Sequence, residues 1–292
     1  MELLEAMRVR RSVRTYLQKD IPQDLLESLV KSFNTNERLS DLRVTLKPMR
    51  SETVAKAMTG LVGSYGSIKN APLWAIGISQ NGKHYQENFG FRMEQFILEC
   101  TRAGLGTCWV GGFFKKSVLD QFVTKEKNEH IVCVSPVGYA ADRRLSERSM
   151  RSLGGLNARK PLKERVFHGQ WGNPATEYLS SRKELLNVFE LARWAPSASN
   201  LQPCHYVVDD KRILLTVLTS LYRAYPKFIT RDTGMSTNFQ PVDAGIAMSH
   251  ILLAARELGK AGGWTLDFDE PALRSQYRLP TDAKPVAVFS LK

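Results

Sequence analysis

The sequence predicts an α+β protein made of two related but diverged halves within one chain of 292 residues. Amphipathic helical stripes follow Pro22 and Glu184, and short apolar runs bounded by turn residues alternate with such helices. In addition, residues 88–135 recur in diverged form as residues 243–290. We place the two halves at residues 1–165 and 166–292.

The two stripes have the spacing of helices with one apolar face. After Pro22, a residue tolerated in a first helical turn, large apolar residues recur from Leu25 to Phe33. The second stripe runs from Leu185 to Ala192 and stops before Pro196, which a helix interior does not tolerate. Each half is therefore predicted to open with a similar helix.

The internal repeat keeps a constant offset of 155 positions, from residue 88 paired with 243 to residue 135 paired with 290. Each copy predicts a long helix ended by glycine, then a tryptophan, a second helix and a buried strand. The predicted buried strands are residues 131–134 and 286–289, with further strands at residues 43–46, 73–78 and 205–208. The identical pairs are Gly90/Gly245, Met93/Met248, Leu98/Leu253, Gly104/Gly259, Trp109/Trp264, Phe113/Phe268, Gln121/Gln276 and Ser135/Ser290.

Composition excludes several classes of protein. With 43% hydrophobic and 24% charged residues, the chain is expected to bury a core rather than to be disordered. No apolar run approaches the roughly 18 residues of a membrane helix, and the N-terminus lacks a signal-peptide layout, so we expect a cytoplasmic protein without a membrane partner. The cysteines lack metal-site spacing, so buried thiols and no metal are expected; they are Cys100, Cys108, Cys133 and Cys204.

The formal net charge of +12 fits nucleic acid, acidic surfaces or anionic small molecules. The basic residues are scattered, and their densest clusters lack interleaved aromatic residues or a known binding module. We therefore expect no specific nucleic-acid binding and a small-molecule substrate.

Three stretches could carry chemistry. Arg10, Arg11 and Arg14 surround the hydroxyl of Ser12, and guanidinium groups suit phosphate oxygens, although a solvated basic turn is the alternative. A polar loop braced by two prolines, residues 195–203, is either a plain connection or a binding loop.

The third stretch is glycine-rich and runs from Gly104 to Gly112. Its paired glycines, Gly111 and Gly112, permit close approach of the backbone to a flat ligand. In the second copy Leu266 and Asp267 stand in their place, which predicts that one half alone kept this role.

Together these segments resemble the flavin-dependent nitroreductase superfamily, and in particular its single-chain branch with two fused halves. The segments that carry the resemblance are RRSVRTY, GLGTCWVGG, SPVGYA, NARKPL, APSASNLQP and DAGIAMSHILLAARELG. The resemblance implies a nitroreductase-like α+β fold, with the halves forming an intramolecular pseudo-dimer. In this family FMN lies where two subunits meet, so a single FMN at the seam of the two halves and a monomeric protein are implied.

The family's site residues map onto both halves of the chain. Arg10, Ser12 and Arg159 match phosphate and ribityl contacts, and Arg14 matches a cation facing the flavin pyrimidine. Gly111 and Gly112 match the backbone near the flavin N5. The residues implied on the other edge of the flavin are Pro196, Ser197, Ala198, Asn200 and Gln202, together with Asp243, for which capping of its own helix is the alternative.

Two positions depart from the family pattern. Cys204 replaces a tryptophan, and Asn157 stands where a phosphate-binding lysine is frequent, which puts the FMN affinity in doubt. Arg11 could supply the missing charge, and so could a second basic cluster formed by Arg143, Arg144, Arg148 and Arg151, although a solvated surface is the alternative for that cluster.

The implied function is an FMN-dependent NAD(P)H oxidoreductase that works in ping-pong fashion through flavin N5. Its acceptor would be small and flat, such as a nitroaromatic or a quinone, and its donor NADH or NADPH. No catalytic acid or base is expected, because the cofactor carries the chemistry. Two alternatives are a flavin-binding protein with little or no turnover, and specialised flavin chemistry such as flavin fragmentation or dehalogenation.

Overall fold

The structure, a computed structural model, describes residues 1–58, 68–112, 114–141, 158–223 and 239–291. These residues form two compact units, the first ending at residue 141 and the second comprising residues 158–223 and 239–291. The candidates Asn157, Arg143, Arg144, Arg148 and Arg151 lie outside the described residues.

The first unit is an antiparallel sheet with helices packed on it. The strands are β1 (Val44–Arg50), β2 (Leu73–Gln80), β3 (Gly106–Thr107) and β4 (Glu129–Gly138), in the order β1-β2-β4-β3. The helices are α1 (Leu3–Val9), α2 (Gln23–Thr35), α3 (Ser51–Met58), α4 (Tyr85–Arg102) and α5 (Lys116–Leu119). The core between sheet and helices holds side chains such as Ile76, Val110 and Val134.

The second unit repeats this plan with one added strand. Its strands are β5 (Val166–His168), β6 (Cys204–Val208), β7 (Arg212–Leu218), β8 (Gly262–Thr265) and β9 (Ala283–Leu291), in the order β5-β6-β7-β9-β8. Its helices are α6 (Thr176–Ser180), α7 (Lys183–Ala192), α8 (Gln240–Glu257) and α9 (Glu270–Tyr277). Only β5 pairs in parallel, with β6; the other pairs are antiparallel.

The repeat predicted at an offset of 155 positions is present in the structure. Helices α4 and α8 begin and end at that offset, and Gly104 and Gly259 follow them with φ of +78° and +72°. The next amides, of Leu105 and Lys260, bond back to carbonyls of the last helical turn at 2.8 and 2.7 Å. Four strands of the second sheet also keep the neighbours of their counterparts in the first.

The predicted helices and strands are confirmed, with longer strands than expected. Helix α2 begins directly after Pro22, and α7 covers the second stripe. Strand β1 continues through Pro48 to Arg50, which an edge strand allows because one of its sides needs no ladder hydrogen bonds. No helix in the described ranges is long and apolar enough to cross a membrane.

Candidate functional site

The arginine-rich segment of the first unit lies extended along the edge of the sheet. Val13 donates its amide to the Thr107 carbonyl at 2.8 Å, and the Arg14 carbonyl accepts the Lys69 amide at 2.8 Å. Val13 is buried in the core of the unit, so alternation along the extended backbone directs Ser12 and Arg14 to the opposite face. The sequence order Arg-Ser-Val-Arg thus places a hydroxyl and a guanidinium side by side.

Gly106 permits this close packing. A Cβ atom at position 106 would lie 2.6 Å from Cγ2 of Val13, which is closer than real Cβ contacts allow. The glycine-rich stretch therefore serves the arginine segment directly, by letting residues 12 and 107 pair.

Arg10 stands at the end of α1 beside a buried carboxylate. Its side chain is 5% exposed, and its Nε lies 3.9 Å from Oε1 of the fully buried Glu94. Oε2 of Glu94 accepts a hydrogen bond from the Trp109 indole at 2.8 Å, which fixes the carboxylate in α4. This pair balances the charge of Arg10, but Nε and Nη1 of Arg10 find no hydrogen-bond partner among the described residues.

Two further buried polar atoms, Nε of Arg14 and Oγ1 of Thr107, also have no hydrogen-bond partner within the part of the chain that the structure describes. Leaving such groups unpaired costs about 1–3 kcal/mol each, so folded proteins rarely keep them without a reason. Arg10, Arg14 and Thr107 therefore present buried polar atoms that an acceptor on a ligand could satisfy.

The other predicted residues of the first unit flank this arrangement. Val110 exchanges two backbone hydrogen bonds of 3.0 Å with Val134, and Gly111 and Gly112 follow directly. Gly112 is buried and Gly111 is partly exposed. Arg11 is exposed, although strict alternation would place it on the same face as the buried Val13.

The polar loop of the second unit connects α7 with β6 and has a strained backbone. Ser199, Asn200 and Gln202 have φ of +48°, +56° and +52°, a region that non-glycine residues seldom adopt. Such conformations cost on the order of 1–3 kcal/mol each and persist where neighbouring contacts fix them, commonly at ligand sites.

Arg159 is one of the groups that fix this loop. Its guanidinium donates to the Trp194 carbonyl at 3.0 Å, to the Ala195 carbonyl at 3.2 Å and to Oδ1 of Asn200 at 3.0 Å. The assignment of Arg159 to the FMN phosphate stays a prediction; the structure shows it holding both ends of the loop.

Asn200 and Gln202 also turn their side chains toward the segment that carries Arg159. The Ala158 carbonyl accepts from both amide groups, at 3.1 Å from Asn200 and 3.0 Å from Gln202. Oε1 of Gln202 accepts the Lys160 amide at 2.9 Å, and the hydroxyl of Ser197 accepts the Gln202 amide at 2.8 Å. These contacts make the loop rigid before any ligand arrives.

Asp243, in the first turn of α8, holds the loop from the other side. Its carboxylate is buried and accepts the Ala198 amide at 3.0 and 3.1 Å and the hydroxyl of Tyr222. Burial raises the pKa of Asp243 to about 7, against the opposing effects of the Tyr222 and Ala198 hydrogen bonds. The carboxylate of Asp243 thus bonds residues outside α8, and capping of its own helix stays the alternative.

Comparison with known proteins assigns the chain to a family. The family model described as "Putative TM nitroreductase" matches residues 2–255. The chain belongs to this nitroreductase family. No curated protein matches the chain.

Solved structures agree with the nitroreductase fold. A nitroreductase structure from Thermotoga maritima is 18% identical, covers 100% of this chain and 93% of its own, and has a TM-score of 0.55. A family protein from Clostridium novyi is 17% identical and covers 61% and 98% of the two chains, with a TM-score of 0.43. A nitroreductase from Desulfovibrio desulfuricans, solved in complex with FMN, is 14% identical and covers 51% and 95%, with a TM-score of 0.41.

For this nitroreductase-family chain, sequence reasoning missed Glu94, Thr107 and Tyr222. Glu94 is an acidic residue among apolar neighbours in α4, such as Met93, Phe96 and Ile97, and that contrast is the signal that could have found it. Thr107 lies in the glycine-rich stretch from Gly104 to Gly112, where the glycines were the predicted feature and the hydroxyl was not considered. Nothing in the sequence near Tyr222 marks its contact with Asp243.

The cysteines are buried free thiols, as predicted. Burial raises the pKa of Cys204 to about 12, and the Cys204 thiol donates to the main-chain carbonyl of Asp243 at 3.6 Å. Where the family has a bulky tryptophan, this chain thus has a small side chain packed under the first turn of α8.

Proposed function

We propose that the chain binds FMN and uses it to transfer electrons from NADH or NADPH to a small flat acceptor, such as a nitroaromatic or a quinone. Membership of the nitroreductase family supports an oxidoreductase. The observation that carries the choice of ligand is the set of buried, unpaired polar atoms on Arg10, Arg14 and Thr107.

These atoms fit an anion better than any other ligand. Both arginines can only donate hydrogen bonds, and the Thr107 hydroxyl can donate as well. Two adjacent guanidinium nitrogens of one arginine match two oxygens of a phosphate, and charge-assisted bonds of this kind are the strong ones. Glu94 balances one of the two arginine charges, so the segment keeps a net positive charge for an anionic ligand. In this proposal Arg10 donates to the phosphate of FMN and Arg14 lies at the flavin ring.

The polar loop of the second unit is the other segment that the family resemblance assigns to FMN. Pro196, Ser197 and Ala198 stand on a backbone that is already fixed by Arg159 and Asp243. A surface that does not need to be ordered on binding loses less entropy when the ligand arrives.

Bound FMN supplies the hydride chemistry, accepting two electrons from NAD(P)H and passing them on. The part of the chain in this reaction is electrostatic. Arg14 carries a positive charge that favours the negative charge a flavin ring gains on reduction, and its Nε has no competing partner in the described structure. A preorganised charge of this kind needs no rearrangement during the reaction.

Titration of the purified protein with FMN tests the proposal first. One FMN per chain is expected, because the arginine segment occurs only in the first half of the chain and the polar loop only in the second. Two FMN per chain would contradict a single site, and no binding at saturating FMN would contradict the proposal as a whole.

The variant Arg10→Met tests whether Arg10 binds the phosphate of FMN, as proposed. Its FMN affinity should fall roughly 10- to 100-fold, since a hydrogen bond to a charged group contributes about 1.5–3 kcal/mol. Arg8→Met, which removes an exposed arginine from the same helix, is the matched control and should bind FMN as the wild type does. Stopped-flow reduction by NADH and NADPH then separates an oxidoreductase from a flavin-binding protein that does not turn over.

A further inference from the structure

The loop of residues 197–202 is braced on two sides by groups of different kinds. On one side Arg159, Ala158 and Lys160 bond its side chains. On the other side a single carboxylate, Asp243, bonds its backbone at the Ala198 amide. The first brace uses several contacts, so the loss of one leaves others. In the second brace, the side chain that the Ala198 amide bonds within the described residues is that of Asp243.

The Ala198 amide lies at the start of the turn that contains the strained residues. The Asn200 amide donates to the Ser197 carbonyl and the Leu201 amide to the Ala198 carbonyl, each at 3.0 Å. A change in the position of Ala198 therefore moves the acceptor of the next hydrogen bond in the loop. Because Ser199 has φ of +48°, release of this contact gives the backbone a route to a less strained conformation.

We propose that Asp243 is a positioning residue that holds the loop of residues 197–202 in its binding conformation through the Ala198 amide. The inference rests on the proposed function for its ligand, FMN. In this role Asp243 acts through the loop, and it need not touch the cofactor.

The ionised form of Asp243 is the better brace, because a carboxylate accepts stronger hydrogen bonds than a neutral acid. Burial raises its pKa to about 7, so both forms are populated near neutral pH. The titratable groups facing it are the Tyr222 hydroxyl and the Cys204 thiol, and Arg165 lies beyond Cys204, donating to the Cys204 carbonyl at 2.7 and 3.0 Å. FMN binding should therefore weaken as Asp243 takes up a proton.

Three variants of Asp243 and its partner separate this role from simple stability. Asp243→Asn keeps an oxygen that can accept the Ala198 amide but does not titrate, whereas Asp243→Ala removes the acceptor. Tyr222→Phe removes the second donor and leaves the contact with Ala198. The matched control is Asp209→Ala, because the Asp209 carboxylate also accepts two backbone amides and a tyrosine hydroxyl, from Lys211, Arg212 and Tyr277.

The first readout needs no cofactor. Hydrogen–deuterium exchange of peptides covering residues 195–203, measured at pH 8 on protein without added FMN, should be about tenfold faster in Asp243→Ala and faster by a smaller factor in Asp243→Asn, because a neutral amide oxygen accepts a weaker hydrogen bond than a carboxylate. Exchange in Tyr222→Phe and Asp209→Ala should be close to that of the wild type. Unchanged exchange in folded Asp243→Ala would overturn the proposal. If Asp243→Ala does not fold, faster exchange in Asp243→Asn at pH 8 than in the wild type supports it, and equal exchange at both pH 6 and pH 8 overturns it.

The second readout is FMN affinity against pH. Between pH 8 and pH 6 the FMN affinity of the wild type should fall several-fold more than that of Asp243→Asn. The FMN phosphate titrates in both proteins, so the difference between them reports the titration of Asp243. Parallel pH profiles would overturn the proposal. If the wild type binds no FMN at any pH, the proposed function fails, while the exchange measurement still decides whether Asp243 holds the loop.

Discussion

At the scale of single residues, the hydroxyl of Thr107 gives the sharpest test of the unpaired polar atoms. Thr107→Val keeps the shape of the side chain and removes a buried group that has no partner. Without FMN the variant should be as stable as the wild type or more stable, by about 1 kcal/mol, because no hydrogen bond is lost. Its FMN affinity should fall, since the hydroxyl is then missing from the ligand site.

Thr216→Val is the contrasting control for this prediction. The Thr216 hydroxyl is buried and donates to the His205 carbonyl at 3.2 Å, so its loss should lower stability by about 1 kcal/mol without changing FMN affinity. Thermal unfolding with and without FMN measures both effects. A Thr107→Val protein that loses stability without ligand would show that its hydroxyl has a partner within the fold.

Replacement of Arg14 and replacement of Arg159 should impair different steps, flavin reduction in the first case and FMN binding in the second. Arg14→Ala should slow flavin reduction by NAD(P)H more than it weakens FMN binding, because its charge is proposed to face the redox ring. Arg159→Ala should weaken FMN binding more than it slows reduction, because it loses three hydrogen bonds that fix the loop. Stopped-flow reduction and FMN titration of both variants check this, and equal effects of both would refute the assigned roles.

At the scale of secondary-structure elements, β6 and the start of α8 carry two buried groups that titrate in opposite senses. Burial lowers the pKa of His205 in β6 to about 4, and burial raises that of Asp243 in α8 to about 7. The unfolded chain protonates His205 more readily, so this residue makes the fold less stable as the pH falls from about 6.5 to 4. The folded state protonates Asp243 more readily, so this residue makes the fold less stable as the pH rises from about 4 to 7.

Because the two effects cancel in one pH window, single variants should expose them. The free energy of unfolding of Asp243→Asn should rise with pH between 4 and 7, and that of His205→Asn should fall, each by up to about 3 kcal/mol. Denaturant unfolding at several pH values measures how the free energy of unfolding changes with pH in each variant. The sign of that change is the test, not the absolute stability. Slopes of the same sign in the two variants would contradict the assignment.

The elements that the sequence predicts are those with a clear period or clear boundaries. Helices α2 and α7 have amphipathic stripes next to proline, and α4 and α8 support each other through the repeat. Strand β7 escaped prediction because both its faces are buried, so it shows no alternation between apolar and polar residues. Helix α1 is only seven residues long, and β3 only two, which is too short for any period to show.

The candidate site was predictable where chemistry and sequence position coincide. The family motifs located the arginine segment, the paired glycines and the polar loop. They could not show that Arg10 pairs with Glu94, because that contact joins residues 84 positions apart. Nor could they show that the side chains of Asn200 and Gln202 bond the Ala158 carbonyl and so fix the loop, since a motif does not reveal which partner a side chain takes.

At the scale of the whole chain, the two copies of the repeat differ at Glu94, the residue of the first copy that pairs with Arg10. Trp109 bonds Glu94, whereas its counterpart Trp264 bonds the main-chain carbonyl of Met248 at 2.9 Å. Ser249 stands at the position of Glu94, and its buried hydroxyl has no hydrogen-bond partner in the described ranges. The second copy has thus kept the tryptophan and the backbone plan but lost the acid that balances a buried arginine.

This divergence supports the prediction that the protein is active as a monomer. The resemblance implies that ordinary members build the flavin site from segments of two subunits, and this chain carries the arginine segment in its first half and the polar loop in its second. We therefore propose that one chain supplies both segments. Light scattering over a dilution series, with FMN-dependent NAD(P)H oxidation measured on the same samples, should show unchanged activity per chain at concentrations where only monomer remains. Loss of activity in step with the dissociation of a dimer would show instead that the site requires two chains.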